Sequence, residues 1–139
     1  MRMLLLMGII ALSNLALANE STEINYSFSS FRSAYSCHYA ETQFQEYVEA
    51  LGGEIESIRC SGGIPYDDHF VAIRAQVRVP QVNENTRWVS VELEGDEACK
   101  FNDNMIQELL NHFATRNLEH RSSCWHSQGR YKYSFDVAN

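Results

Sequence analysis

The sequence of 139 residues lacks the common motifs of catalytic and redox sites. It has no C-x-x-C pair, so its cysteine spacing supports neither a thioredoxin-type redox centre nor a zinc knuckle. It also has no G-x-S-x-G elbow, no glycine-rich phosphate loop and no zincin motif. We therefore expect that the protein is not an enzyme and that it has no cofactor.

Basic residues are scarce as well. The chain has 11 Lys and Arg residues against 18 Asp and Glu residues, which gives a net charge of −7 at pH 7. Such a chain repels phosphate backbones and anionic lipid surfaces, so nucleic acid is not an expected partner. The acidic residues are spread along the chain, which is typical of a solvated surface. Binding of a basic partner is the alternative interpretation.

Long apolar runs are missing beyond the N-terminus. Residues 1–18 have the pattern of a secretory signal peptide, with Arg2, an apolar run from Leu4 to Leu12 and the ending Ala16-Leu17-Ala18. A membrane-spanning helix needs ~20 apolar residues, so we expect no membrane span. The sequence predicts an exported protein, periplasmic or secreted, in which residues 19–139 form a single domain.

Cysteine is present in an even number. The four residues are Cys37, Cys60, Cys99 and Cys124. In an exported chain, four cysteines are more often two disulfides than a metal site.

The chain contains a degenerate internal repeat, with copies at about residues 24–80 and 86–138. Cys37 and Cys99 occupy equivalent positions in the two copies. The same sequence offset that separates them also separates the apolar stripe of one predicted helix from that of a second. The stripes are Phe44, Tyr47, Val48 and Leu51 in the first helix, and Ile106, Leu109, Leu110 and Phe113 in the second. Alternating apolar residues predict strands at residues 24–28, 54–60, 70–79, 87–93, 118–124 and 130–137.

The order β-α-β-β, read twice, predicts an α+β domain. We expect an antiparallel-rich sheet of about six strands with two helices on one face. Thr42 and Gln45 form a possible capping box at the start of the first helix, which ends at Gly52-Gly53. Asn102 or Asn104 is expected to cap the second helix.

The repeat also predicts the disulfide pairing. A helix followed by a returning strand brings the two ends of each copy together, which favours Cys37–Cys60 and Cys99–Cys124. Each bridge would close a loop of about 25 residues and stabilise the fold by roughly 3 kcal/mol in the chain-entropy model.

The sheet face opposite the helices is the first candidate binding surface. Arg74 and Arg78 alternate along one strand, and Trp88 lies on the next. In one sheet these three side chains would share a face, and tryptophan and arginine are the residues that interfaces favour. A solvated face with a half-buried tryptophan is the alternative.

The second candidate surface is the loop that contains Trp125 and His126, directly after Cys124. The indole either stacks on a ligand or packs against the disulfide, and we expect packing. Together these features predict an exported, disulfide-stabilised binding module, whose partner is another exported protein or a small ligand.

A metal site is the alternative function. If Cys37 and Cys60 are joined, His38 comes near the loop that contains Asp67, Asp68 and His69. Two imidazoles and two carboxylates suit a divalent metal, in a metal carrier or a metal-dependent enzyme. The second copy has Lys100 in place of His38, which favours a solvated polar loop instead.

Overall fold

The computed structural model describes residues 21–31, 35–64 and 68–139, with the backbone alone at residues 31, 68 and 69. The predicted signal peptide therefore lies outside the described residues. The first unit contains β1 (Ser21–Phe31), α1 (Cys37–Ala50), β2 (Glu54–Gly63) and β3 (Asp68–Pro80). The second contains β4 (Trp88–Gly95), α2 (Cys99–Leu110), β5 (Thr115–Ser122) and β6 (Tyr131–Ala138). The α+β class and the β-α-β-β order, occurring twice, are confirmed.

The six strands form two three-stranded antiparallel sheets, with the orders β1-β3-β2 and β4-β6-β5. The structure differs here from the expectation of one sheet of about six strands. The reason is that the last strand of each unit occupies the centre of its sheet and is paired on both sides within that unit. β3 and β4, which are consecutive in the chain, consequently belong to different sheets.

The inner faces of both sheets and the apolar stripes of both helices share one core. Along β3, Val71, Ile73, Ala75, Val77 and Val79 are buried, whereas Arg74, Gln76 and Arg78 are exposed. β6 buries Tyr131, Tyr133, Phe135 and Val137 in the same alternating way. This period of two places apolar side chains against the helices and leaves the outer face of each sheet to solvent.

Helix α1 begins at Cys37, five residues before the predicted start at Thr42. Ser36 is the N-cap, and its hydroxyl accepts a hydrogen bond from the backbone N–H of Tyr39 at 3.1 Å. The hydroxyl of Thr42 instead donates to the carbonyl of His38 at 2.8 Å, as hydroxyls within helices often do. The capping-box prediction was therefore wrong.

Helix α2 also begins earlier than predicted, at Cys99 rather than after Asn102 or Asn104. The preceding residue, Ala98, has left-handed backbone angles and supplies no side-chain cap. Asn102 is buried inside the helix, where its amide donates to the Tyr39 hydroxyl at 3.0 Å. That contact joins the two units.

Both predicted disulfides are confirmed. Cys37 pairs with Cys60 and Cys99 pairs with Cys124, with Cα–Cα distances of 5.6 and 5.3 Å. Disulfides persist in oxidising compartments, so they indicate an environment other than a reducing cytosol. Among the described residues, neither helix is long and apolar enough to cross a membrane.

Candidate functional site

The loop that follows Cys124 is a tight turn. Trp125 and Gln128 exchange two backbone hydrogen bonds, with N···O distances of 2.8 and 3.0 Å. His126 and Ser127 therefore form the turn itself. His126 has a φ of 54°, in the left-handed region that is costly for a residue other than glycine. Such a conformation persists only where the surrounding contacts hold it.

The same turn caps helix α2. The backbone N–H of Lys100 donates to the carbonyl of His126 at 2.9 Å, and that of Cys99 donates to the carbonyl of Ser127 at 3.3 Å. These bonds satisfy two of the N–H groups that a helix leaves without internal partners at its N-terminus. The Cys99–Cys124 disulfide ties the loop to the helix a second time. The loop is consequently held in one position relative to the core.

Trp125 projects from this anchored loop. The residue is 76% exposed to solvent. In the described part of the chain, its one ring contact is an edge contact with His126, at a centroid distance of 5.4 Å. The expectation that Trp125 packs against the disulfide was therefore wrong.

The loop that follows Cys60 presents a second exposed apolar side chain, Ile64, which is 53% exposed. Its backbone N–H donates to the carbonyl of Tyr35 at 3.3 Å, and the Tyr35 ring lies 4.8 Å from that of Phe101 on α2. Phe101 is in the first turn of α2, which the loop of Trp125 caps. Ile64 and the turn after Trp125 therefore both lie at the end of the molecule where the helices begin. We call Ile64 and Trp125 together the two-loop surface.

Trp88 lies on the outer face of the second sheet. The guanidinium carbon of Arg116 is 4.6 Å from the centre of its ring, a cation–π arrangement. Arg116 also pairs with Asp136 at 3.2 Å. Hydrogen bonds to Asp136 from Ser90, Asn117 and Arg116 hold its pKa below the ordinary value. Trp88 is thus already engaged with its own sheet.

Arg74 and Arg78 lie on the outer face of the first sheet. The predicted surface that combines them with Trp88 does not form, because β3 and β4 belong to different sheets. Arg78 makes ion pairs with Glu54, at 3.3 Å, and with Glu56. Its charge is therefore largely compensated, whereas Arg74 has no such partner among the described residues.

A buried carboxylate, which the sequence analysis did not single out, joins α2 to the second sheet. Asp103 is 2% exposed. Its carboxylate accepts hydrogen bonds from Tyr133 at 2.5 Å, Ser122 at 2.9 Å, His120 at 3.0 Å and Gln107 at 3.2 Å. Burial alone would raise the pKa of Asp103, but these four hydrogen bonds together outweigh it and hold the pKa below its ordinary value.

The Asp103 cluster resembles a catalytic triad in composition but not in geometry. In a triad the serine hydroxyl donates to the imidazole and the aspartate orients that imidazole. Here Ser122 donates directly to the carboxylate of Asp103. The imidazole of His120 stacks on the Tyr133 ring with a centroid distance of 4.2 Å. The arrangement fixes β5 and β6 to α2, and the serine hydroxyl donates to the carboxylate rather than to the imidazole.

The predicted metal ligands are only partly described. His38 is exposed on the first turn of α1. Asp67 lies outside the described residues, and so do the side chains of Asp68 and His69. Among the described side chains, those of residues 21–30, 35–64 and 70–139, no three His, Cys, Asp or Glu side chains lie close enough together to hold a metal ion. The metal site stays a prediction.

Comparisons of the chain with known protein families, with curated proteins and with solved structures find no match. The function must therefore be inferred from the geometry above.

Proposed function

We propose that the protein is an exported, non-enzymatic interaction module, periplasmic or secreted, that binds another exported protein through the two-loop surface. The observation that carries the proposal is the exposure of Trp125 on a loop held by a disulfide, a tight turn and the N-terminus of α2. Exposing a large indole to water forgoes the free energy of burying it, roughly 2–3 kcal/mol for a large apolar side chain. A partner that covers the ring recovers that free energy.

The rigidity of the loop supports binding. Ordering a flexible loop on association costs free energy, and a loop already held in its bound position avoids that cost. Tryptophan is also among the residue types that contribute most to the centres of protein interfaces. Ile64 supplies a second apolar contact at the same end of the molecule.

The shape of the surface favours a protein partner over a small molecule. Small-molecule sites are concave and enclose most of their ligand. Trp125 instead protrudes, which suits insertion into a pocket on another protein. Tryptophan side chains that anchor interfaces fill pockets of this kind.

We also interpret the two units as copies of one ancestral repeat. The element order and the strand order within each sheet are the same in both units, and each unit has a disulfide from the first residue of its helix to a cysteine in or just after the following strand. The residues that follow the second cysteine differ in sequence between the units, and surface loops are where divergence of a binding surface is expected.

Affinity capture from the extracytoplasmic fraction of the source organism tests the proposal. The wild type, Trp125→Ala and Trp88→Ala are immobilised at equal density, and captured proteins are quantified by mass spectrometry. Loss of an interface tryptophan costs 2 kcal/mol or more at a hot spot, which is roughly a thirty-fold weaker Kd. We expect Trp125→Ala to lose a protein that both the wild type and Trp88→Ala retain.

Trp88→Ala is the matched control because it removes the other tryptophan from a different surface. Loss of capture with Trp88→Ala alone would place the interface on the outer face of the second sheet and contradict the proposal. Equal capture by all three proteins would contradict a tryptophan-anchored interface altogether.

A further inference from the structure

Two arginines face each other on the outer face of the first sheet. Arg59 on β2 and Arg74 on β3 are directly opposite in the antiparallel register, and Ser27 on β1 is opposite Arg74 on the other side. Directly opposite residues have Cβ atoms about 4.5–5.5 Å apart. The two guanidinium groups therefore share one area of the sheet surface.

Neither arginine is compensated. Among the described residues, no acidic side chain makes an ion pair with Arg59 or Arg74, and neither guanidinium forms a side-chain hydrogen bond. Like charges directly opposite each other destabilise a sheet. Arg78, four residues along β3, shows the contrast, since two glutamates neutralise it. In a chain of net charge −7, two neighbouring arginines without acidic partners in the described part of the chain favour the binding of an anionic ligand.

The surroundings of the arginine pair form a shallow depression of about 280 Å³. Besides the arginines, its lining includes the polar side chains of Asn25, Ser27, Ser57 and Gln76. Gln76 accepts a hydrogen bond from Ser57 at 3.1 Å, which leaves its amide N–H groups free to donate. The depression thus offers two positive charges and several neutral hydrogen-bond donors, and its lining contains no carboxylate.

We infer that this depression binds a phosphate or sulfate group of a small polar molecule between the guanidinium groups of Arg59 and Arg74. A guanidinium presents paired N–H donors that match the oxygens of such a group, and a charge-assisted hydrogen bond is about twice as strong as a neutral one. The volume exceeds that of one oxyanion, so part of the carrier molecule fits beside it. This site lies on a different face from the two-loop surface and does not depend on the proposed protein partner.

Titration with inorganic phosphate, followed by backbone amide chemical shifts and by calorimetry, tests the site. We expect saturable binding to the wild type. The amide chemical-shift changes should be confined to residues of β2 and β3 near Arg59, Arg74 and Gln76. Arg59→Gln and Arg74→Gln should each weaken the Kd by about ten-fold or more, the usual effect of losing a hydrogen bond to a charged group. Arg78→Gln is the matched control and should bind phosphate as the wild type does.

Further ligands distinguish the sources of the oxyanion. Tighter binding of a sugar phosphate than of inorganic phosphate would support the site, with a phosphorylated sugar as the carrier. Tighter binding of a sugar sulfate than of inorganic sulfate would support the site, with a sulfated sugar as the carrier. Absence of saturable binding to any of these ligands, or an equal loss of affinity in Arg78→Gln, would overturn the inference.

Stability in the absence of ligand provides a second readout. Because Arg74→Gln relieves a like-charge pair, it should be at least as stable as the wild type at low salt without phosphate. At the same concentration, phosphate should raise the Tm of the wild type by more than that of Arg74→Gln. An Arg74→Gln variant whose Tm rises with phosphate as much as that of the wild type would contradict the site.

Discussion

Replacement of Asp103 by alanine provides the sharpest test of the packing between α2 and the second sheet. The change removes a carboxylate that accepts four side-chain hydrogen bonds while 2% exposed. A hydrogen bond to a charged group contributes roughly 1.5–3 kcal/mol. The four contributions do not add, because the Gln107 amide is exposed and the side chain of His120, which is 33% exposed, can donate to water instead.

The buried Tyr133 hydroxyl decides the magnitude of this loss. It is left with one weaker acceptor, the backbone carbonyl of residue 103 at 3.3 Å. Removing a buried charge also recovers part of its desolvation cost. We therefore expect Asp103→Ala to lower the free energy of unfolding by about 2–4 kcal/mol.

Urea denaturation at pH 7, monitored by circular dichroism, measures this difference from the midpoint at constant m-value. Asp136→Ala is the matched control, since Asp136 also accepts three side-chain hydrogen bonds but lies on the outer face of its sheet. Its loss should be smaller. A stability loss for Asp103→Ala that is no larger than that for Asp136→Ala would refute the reasoning.

The remaining predictions concern pH, the disulfide, the core and the loop. The pKa of Asp103 is lower in the folded than in the unfolded state, so the unfolded state binds more protons at low pH. The free energy of unfolding should therefore fall as the pH drops below the ordinary pKa of 3.8. Acid titrations followed by fluorescence should show a larger loss of stability in the wild type than in Asp103→Asn. Replacing both Cys99 and Cys124 by serine should cost roughly 2–5 kcal/mol in urea denaturation. Leu109→Ala removes a fully buried side chain and should cost about 2–5 kcal/mol, against little for exposed Glu108→Ala. Gly129→Ala places a Cβ 2.3 Å from a backbone carbonyl oxygen at a φ of 106°, so it should lower the Tm and shift the loop resonances.

Four experimental results would contradict these expectations. Equal acid sensitivity of the wild type and Asp103→Asn would mean that the carboxylate does not titrate as its hydrogen bonds imply. If the variant with serine at both Cys99 and Cys124 were as stable as the wild type, the disulfide would not contribute to anchoring the loop. Equal effects of the two helix substitutions would contradict the packing of α2, and an unchanged Tm for the glycine variant would contradict the turn geometry.

The elements and the disulfide pairing could be predicted from the sequence because they depend on local periodicity and on a spacing shared by two copies. The start of α1 could not, since Ser36 and Thr42 are both acceptable N-caps and no short pattern chooses between them. The division into two sheets was also missed. Alternation shows which side chains of β3 and β4 share a face, but it does not reveal whether the two strands are neighbours.

The candidate sites depend on tertiary contacts that no short pattern contains. The exposure of Trp125 follows from a turn whose carbonyls cap α2, and nothing near residue 125 in the sequence indicates those hydrogen bonds. Arg59 lies beyond a bulge between Ile55 and Ser57, which disrupts the alternation that would have assigned its face. Asp103 occupies the first turns of a helix, where a carboxylate is ordinary, and three of its four partners come from two later strands.

Acrylamide quenching of Trp125 fluorescence tests the proposed interaction surface most directly. Trp88→Phe leaves Trp125 as the sole tryptophan of the described residues and removes no contact of the two-loop surface. In the free protein we predict a quenching constant close to that of a fully solvated indole, falling several-fold when the captured partner is added. Strong protection of the ring in the free protein, or quenching that is unchanged in the complex, would contradict the account.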